Sequence, residues 1–187
     1  MIYCKKREVK NGEAVNVVAS RQKLQLSEVA EIVSVPVTGL ISMKVVHDDG
    51  GRAAAGFKGT ARDCVTRSIA IVAQLPYADV YAELAKQTGS QRPDRITGKK
   101  RPASARNGIN TKRKWFKDYM ASLGFKWTPT MAIGQGCKVH LVANELPPGR
   151  LIVAVSKHYT AVIDGVIYDN HDPSRDGSRC VYGYWSL

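Results

Sequence analysis

Tyr159-Thr160-Ala161-Val162-Ile163-Asp164-Gly165-Val166-Ile167-Tyr168-Asp169 decides the fold. Two β-branched runs flank Asp164-Gly165, a two-residue loop able to take the positive φ angles that a tight hairpin turn requires. With that turn, Ile163 faces Val166, Val162 faces Ile167, Thr160 faces Asp169 and His158 faces His171. Side chains two apart share a face, so His158, Thr160, Asp169 and His171 all point to one side. Asp169 is then the diagonal neighbour of His158, within reach of one ring nitrogen.

Further strands are expected on either side, at 151–156 and 179–185, with earlier candidates at 43–47, 125–127 and 139–142. The helices come first. Residues 63–75 are the clearest, with Val65, Ile69, Val72 and Leu75 on one stripe and Asp63 as N-cap. Pro76 starts a second helix over 77–87, and a third spans 111–123, closed by Gly124. Helices followed by an antiparallel sheet place the chain in the α+β class.

Residues 1–42 read as an accessory segment. Lys10-Asn11-Gly12-Glu13 turns a hairpin, and 26–33 is a short amphipathic helix stopped by Pro36. A faint helix-turn-helix pattern runs on through 37–42, weakened by Gly39 and by the lack of basic residues. Residues 43–187 form the main domain, and Met43 is also a candidate internal start.

The 187 residues include 28 Lys+Arg and 16 Asp+Glu, a formal charge of +12, and 44% hydrophobic residues, enough for a real core. Ten of the basic residues lie between Arg92 and Lys117 beside a single acid, Asp94, so that window carries +9. A long loop at 90–114 holds most of it. Arg101, Arg106, Lys112 and Arg113 are candidates for binding phosphate or an acidic partner; the alternative is a solvated loop, and composition does not choose. No apolar run can span a bilayer, and Met1–Arg7 is not followed by the apolar core of a secretory signal. Cys4, Cys64, Cys137 and Cys180 lie far apart, which predicts free thiols and a reducing, cytoplasmic setting.

Cys64 falls in the first turn of the clearest helix. Outward-pointing N–H groups and the positive end of the macrodipole there stabilise a thiolate. His158 at the head of a strand supplies a base, and Asp169 on its partner strand supplies the carboxylate that orients it. His171 and Asp172 lie near the same rim and would replace Asp169 if the register slipped by one.

A cysteine opening the main helix, with His and Asp from the sheet that follows, resembles the papain-like cysteine peptidases and their amidase relatives over roughly 59–185. That resemblance implies a papain-like fold, a Cys64-His158-Asp169 triad, and hydrolysis of a peptide, isopeptide or other amide through a thioester, with no cofactor. The stretch Lys58-Gly59-Thr60-Ala61-Arg62 has no counterpart of the papain glutamine, which leaves Thr60 or Lys58 to join the Cys64 N–H as oxyanion donor. The chain is also similar, from about residue 43 onward, to small proteins from phages and bacterial genomes. It shares with them Asp48-Asp49-Gly50-Gly51-Arg52, Asp63-Cys64-Val65-Thr66-Arg67, Trp127-Thr128-Pro129-Thr130-Met131 and Asp172-Pro173-Ser174. The competing expectation is a non-enzymatic nucleic-acid-binding or phage-associated interaction protein that works through the basic loop. Cys137-x-x-His140 is a weak zinc signature without a second pair, so no metal is expected.

Overall fold

A computed structural model describes residues 8–10, 13–15, 41–91, 97–100 and 102–187. The chain divides into two compact units, Met1–Val37 and Thr38–Leu187. In the first, β1 (Glu8–Lys10) and β2 (Glu13–Val15) pair antiparallel, with Lys10 opposite Glu13. The helix expected at 26–33 lies outside the described residues. Ile41 belongs to the larger unit: its N–H donates to Asn144 Oδ1, and its carbonyl accepts from the Ala143 N–H.

The larger unit is α+β. Its strands are β3 (Lys44–His47), β4 (Lys126–Pro129), β5 (Arg150–Val155), β6 (His158–Ile163), β7 (Val166–Asp169) and β8 (Val181–Ser186), in sheet order β3-β7-β6-β5-β8-β4. The hairpin has the expected register, with Ile163 opposite Val166 and Val162 opposite Ile167. All neighbours are antiparallel except β3, which runs parallel to β7. The sheet is therefore mixed, where the sequence order predicted an antiparallel one. β3 enters the edge before the helices, and Asp48 N–H extends the pairing by donating to Asp169 O at 3.0 Å.

Helices α1 (Cys64–Ala73), α2 (Tyr77–Gly89) and α3 (Lys114–Ser122) precede most of the sheet in sequence. α1 buries Val65, Ile69 and Val72 on a core shared with Ile152, Ala161 and Trp185. Burying side chains of that size is worth about 1.5–3 kcal/mol each. Gln74, in the left-handed region at φ 56°, caps the helix, whose last residue, Ala73, comes two before the expected Leu75. α3 starts three residues later than expected, because Asn110 Oδ1 takes the Lys112 N–H into a side-chain turn. No helix among the described residues is long and apolar enough to cross a membrane.

The other face of the sheet, built from Leu151, Val153, Val155, Val162, Ile167 and Val181, is covered by Met43, Leu141 and Leu146. Residues 139–142 were a strand candidate, but they do not form one. Leu141 N–H donates to Arg179 O and Val181 N–H to Val139 O, both at 2.8 Å, and the chain then turns so that Leu141 and Val142 plug the sheet. Their apolar run serves burial, which sequence pattern does not distinguish from pairing.

The same contacts align Cys137 with Cys180, Cα atoms 5.7 Å apart, in a disulfide. Two of the four thiols expected to be free are thus paired, and the cysteine-usage argument for a reducing compartment no longer holds. The pairing also removes Cys137 from the zinc signature. The bridge spans 43 residues, a loop whose closure stabilises by about 2–4 kcal/mol on chain-entropy grounds. Reduction, or the Cys137→Ala/Cys180→Ala double substitution, is expected to lower the melting temperature by about 5–15 °C. An unchanged melting curve under reductant would show that the bridge contributes nothing.

Candidate active site

Cys64 opens α1, and His158 and Asp169 come from the adjoining strands β6 and β7; α1 packs on β6. His158 Nε2 lies 2.7 Å from Asp169 Oδ2. The Cys64 thiol lies in the same cleft, where hydrogen bonding and charge couple it to the imidazole. The three residues singled out in the sequence are thus brought together.

Their ionisation is coupled. Burial pushes the Cys64 thiol up, but the hydrogen bond and charge of His158, a backbone bond from Tyr159 and the charge of Arg67 outweigh it, and the net shift is downward. Burial pulls His158 down, yet Asp169 and Cys64 lift it to about 9. Asp169 is also lowered overall: its burial is overcome by His158 and Arg67. Together these shifts favour the thiolate–imidazolium form of the pair over the neutral one, with an ionised carboxylate behind it.

Asp63 stands at the N-cap of α1 as expected, but its carboxylate makes no capping bond. Its Oδ1 accepts from Arg67 Nε at 3.2 Å, and its Oδ2 accepts from the Tyr77 hydroxyl at 2.6 Å. Arg52 Nε lies 2.9 Å from the same Oδ2. A carboxylate turned onto the first helical N–H groups would cancel the positive end of the helix beside the thiolate. Here three other partners hold it away.

Arg67 links the two acids. Its Nη1 donates to Asp169 Oδ1 at 3.0 Å, while its Nε holds Asp63, and all three side chains are at most 6% exposed. Asp169 therefore receives His158 on one oxygen and Arg67, together with the Asn170 N–H at 2.7 Å, on the other. Arg67, Arg52 and Tyr77 had no role in the sequence reading. The available signal was the Asp63–Arg67 pair at i, i+4, with a charge buried in an otherwise apolar helix.

Thr60 and Lys58, the candidate oxyanion donors, sit in the exposed loop before α1 and do not line the Cys64 cleft. Their carbonyls are occupied instead: Arg52 Nη2 donates to Lys58 O at 3.1 Å, and Arg106 Nη2 to Thr60 O at 2.9 Å. Arg101 lies outside the described residues. Lys112 and Arg113 are exposed ahead of α3. Arg106 acts as a clip, because its carbonyl also accepts the Arg62 N–H at 2.8 Å.

The end of the basic loop is thereby built into the site. Asn107 bridges to Arg62, and the Tyr159 hydroxyl donates to Thr111 Oγ1 at 2.9 Å. Gly108 and Ile109 form one wall of a cleft of about 460 Å³ that also contains Ala61, Cys64, His158 and Tyr159. His171 stands at the rim, its ring 4.8 Å from that of His158 and its Nδ1 2.7 Å from Asn170 Oδ1.

His158, Asp169 and His171 place potential metal-ligand atoms within 4.8 Å of one another. One of the three is the 2.7 Å partner of another, and His171 is largely exposed, so the trio reads as a hydrogen-bonded triad edge. No family model, curated protein or solved structure matches the chain.

Proposed function

We propose that the protein is a cysteine hydrolase of papain-like architecture, cleaving a peptide, isopeptide or other amide bond by acyl transfer. The observation that carries this reading is the Cys64–His158–Asp169 chain, with the thiol lowered, the imidazole raised to about 9 and the carboxylate buried behind it. A structural cysteine in an apolar core has its thiol raised, and needs neither the imidazole nor its carboxylate.

The Cys64 thiolate attacks the carbonyl carbon, and the oxyanion forms beside the N-terminus of α1, where the Cys64 N–H is the first donor. The imidazolium gives its proton to the departing nitrogen, leaving a thioester. His158, now neutral, takes a proton from water, which attacks the thioester and frees the acid. Asp169 holds the ring in place and stabilises its charged form throughout.

Tryptic and acid-cleaved proteome peptides incubated with the protein should show new termini by mass spectrometry that are absent with Cys64→Ser. Identical peptide sets from the two proteins would count against peptide hydrolysis. Replacing Asp169 with Asn should move the alkaline limb of any pH–rate profile from about 9 towards the ordinary histidine value, since the Asp169 hydrogen bond does most to lift the imidazole. The basic-loop alternative has less support, because Arg106 is bonded to backbone in the wall of the cleft.

A further inference from the structure

His158, with Lys157 and His171, lines both the Cys64 cleft and a second cavity of about 490 Å³. That cavity is lined by Ser156, Lys157, His171, Asp172, Arg175 and Arg179, and Cys64 is not among its lining residues. Its charge is one-sided. Lys157, Arg175 and Arg179 make no ion pair with a described residue. Asp172 supplies the carboxylate in the lining, and its Oδ1 already accepts the Ser174 N–H at 2.8 Å.

Arg179 donates from Nη2 to the Ser156 carbonyl, while its Nε is buried without a hydrogen-bond partner among the described residues. Partial burial and then the charge of Arg175 lower its guanidinium below the ordinary value. Two like charges close together, neither of them ion-paired with a described residue, are a standing cost that a bound anion would reduce.

The backbone is strained at the same place. Lys157 at φ 58° and Arg175 at φ 54° occupy the left-handed region, where a long side chain is uncommon and Gly or Asn fits better. Such strain persists where the surroundings enforce it, and it concentrates at functional sites.

Position relative to the chemistry assigns the cavity a side. His158 delivers its proton to the departing nitrogen, so the leaving amine must lie at the imidazole. Whatever that nitrogen carries extends past His158, away from Cys64. We propose that the cavity is the leaving-group subsite and that it selects an amine bearing a carboxylate.

This inference rests on the acyl-transfer reading above. In the step it describes, the Cys64 sulfur bonds the carbonyl carbon and the C–N bond breaks. The imidazolium proton passes to the nitrogen, and the amine leaves with its carboxylate among Lys157, Arg175 and Arg179. Water then hydrolyses the thioester and restores the thiol.

Three reagents that alkylate Cys64 by displacement of iodide test it on the full chain. N-iodoacetyl-glycine carries an α-carboxylate, N-iodoacetyl-glycinamide carries none, and the α-amide of N-iodoacetyl-aspartate carries only a side-chain carboxylate. At low ionic strength one or both acids should react about tenfold faster than the glycinamide, with the advantage shrinking as salt screens the cations. The faster acid identifies which carboxylate is selected.

Lys157→Asn and Arg175→Asn should each reduce that rate ratio several-fold. Asn tolerates the left-handed backbone, so Lys157→Asn should hold or raise the melting temperature while the ratio falls, a combination that a merely structural lysine would not give. A wild-type ratio of one, or a ratio that survives the Lys157→Asn/Arg175→Asn double substitution, overturns the subsite. Iodoacetamide alkylation that is indifferent to His158→Ala overturns the acyl-transfer reading instead, so the two failures are separable.

Discussion

Iodoacetamide should modify Cys64 rapidly near pH 7, and His158→Ala should slow that reaction, by roughly tenfold or more at pH 6. Burial alone would raise the thiol, and the downward net shift depends first on His158. Below its pKa a thiol loses tenfold in thiolate for each unit by which that pKa rises, while the more basic thiolate recovers only about threefold in nucleophilicity. The net penalty is therefore full in acid and disappears at alkaline pH once both thiols are ionised, where the more basic thiolate of the variant is the better nucleophile.

The wild-type rate should fall only when pH drops through the depressed Cys64 value. Above about 9 the imidazole loses its proton, and turnover, which needs that proton for the leaving group, should decline while alkylation does not. Mass spectrometry of the Cys64 peptide under non-reducing conditions reads the rate without interference from Cys137 and Cys180, which are paired. Equal Cys64 rates at pH 6 with and without His158 would sink the proposed function.

Arg67→Met should be the most destabilising single substitution in the site, by about 3–5 kcal/mol, because it takes the shared cationic partner from two buried carboxylates at once. Asp63 and Asp169 are each 3% exposed, and each loses its bond to the same guanidinium. For a unit the size of Thr38–Leu187 this corresponds to a fall in melting temperature of about 10 °C.

The effect depends on pH with a definite sign. Asp169 has its pKa lowered in the folded protein, so its contribution is complete above the ordinary carboxylate value and is lost as pH falls through the depressed one. The difference between wild type and variant should therefore be full at pH 7 and shrink in strong acid. Arg67→Lys should recover only part of the loss, since one ammonium cannot reproduce the guanidinium fork that reaches both acids. Equal melting temperatures for wild type and Arg67→Met at pH 7 would refute the bridge.

Much of the triad was legible because local rules place each member. The Asp164-Gly165 turn and the two-residue period set the His158–Asp169 relationship, and the apolar stripe of α1 set Cys64 at a helix start. The surroundings were not legible in the same way. Asp63 looked like an ordinary capping residue, and nothing local indicates that Tyr77, Arg52 and Arg67 turn its carboxylate elsewhere. The basic loop looked detachable, yet Arg106 and Asn107 bond to the segment before Cys64, and Gly108 and Ile109 wall the cleft.

Residue periodicity and turn chemistry by themselves determined the α+β class, the hairpin register and the three residues aimed at one another. These depend on φ preferences and on side-chain direction, which act over a few residues. Only the tertiary structure decided that β3 joins β7 in parallel, that Cys137 meets Cys180 across 43 residues, and that Arg67 reaches Asp169 from 102 residues away. Such pairings are settled by which apolar faces are buried together, and a charge becomes a partner only after that burial has brought it there.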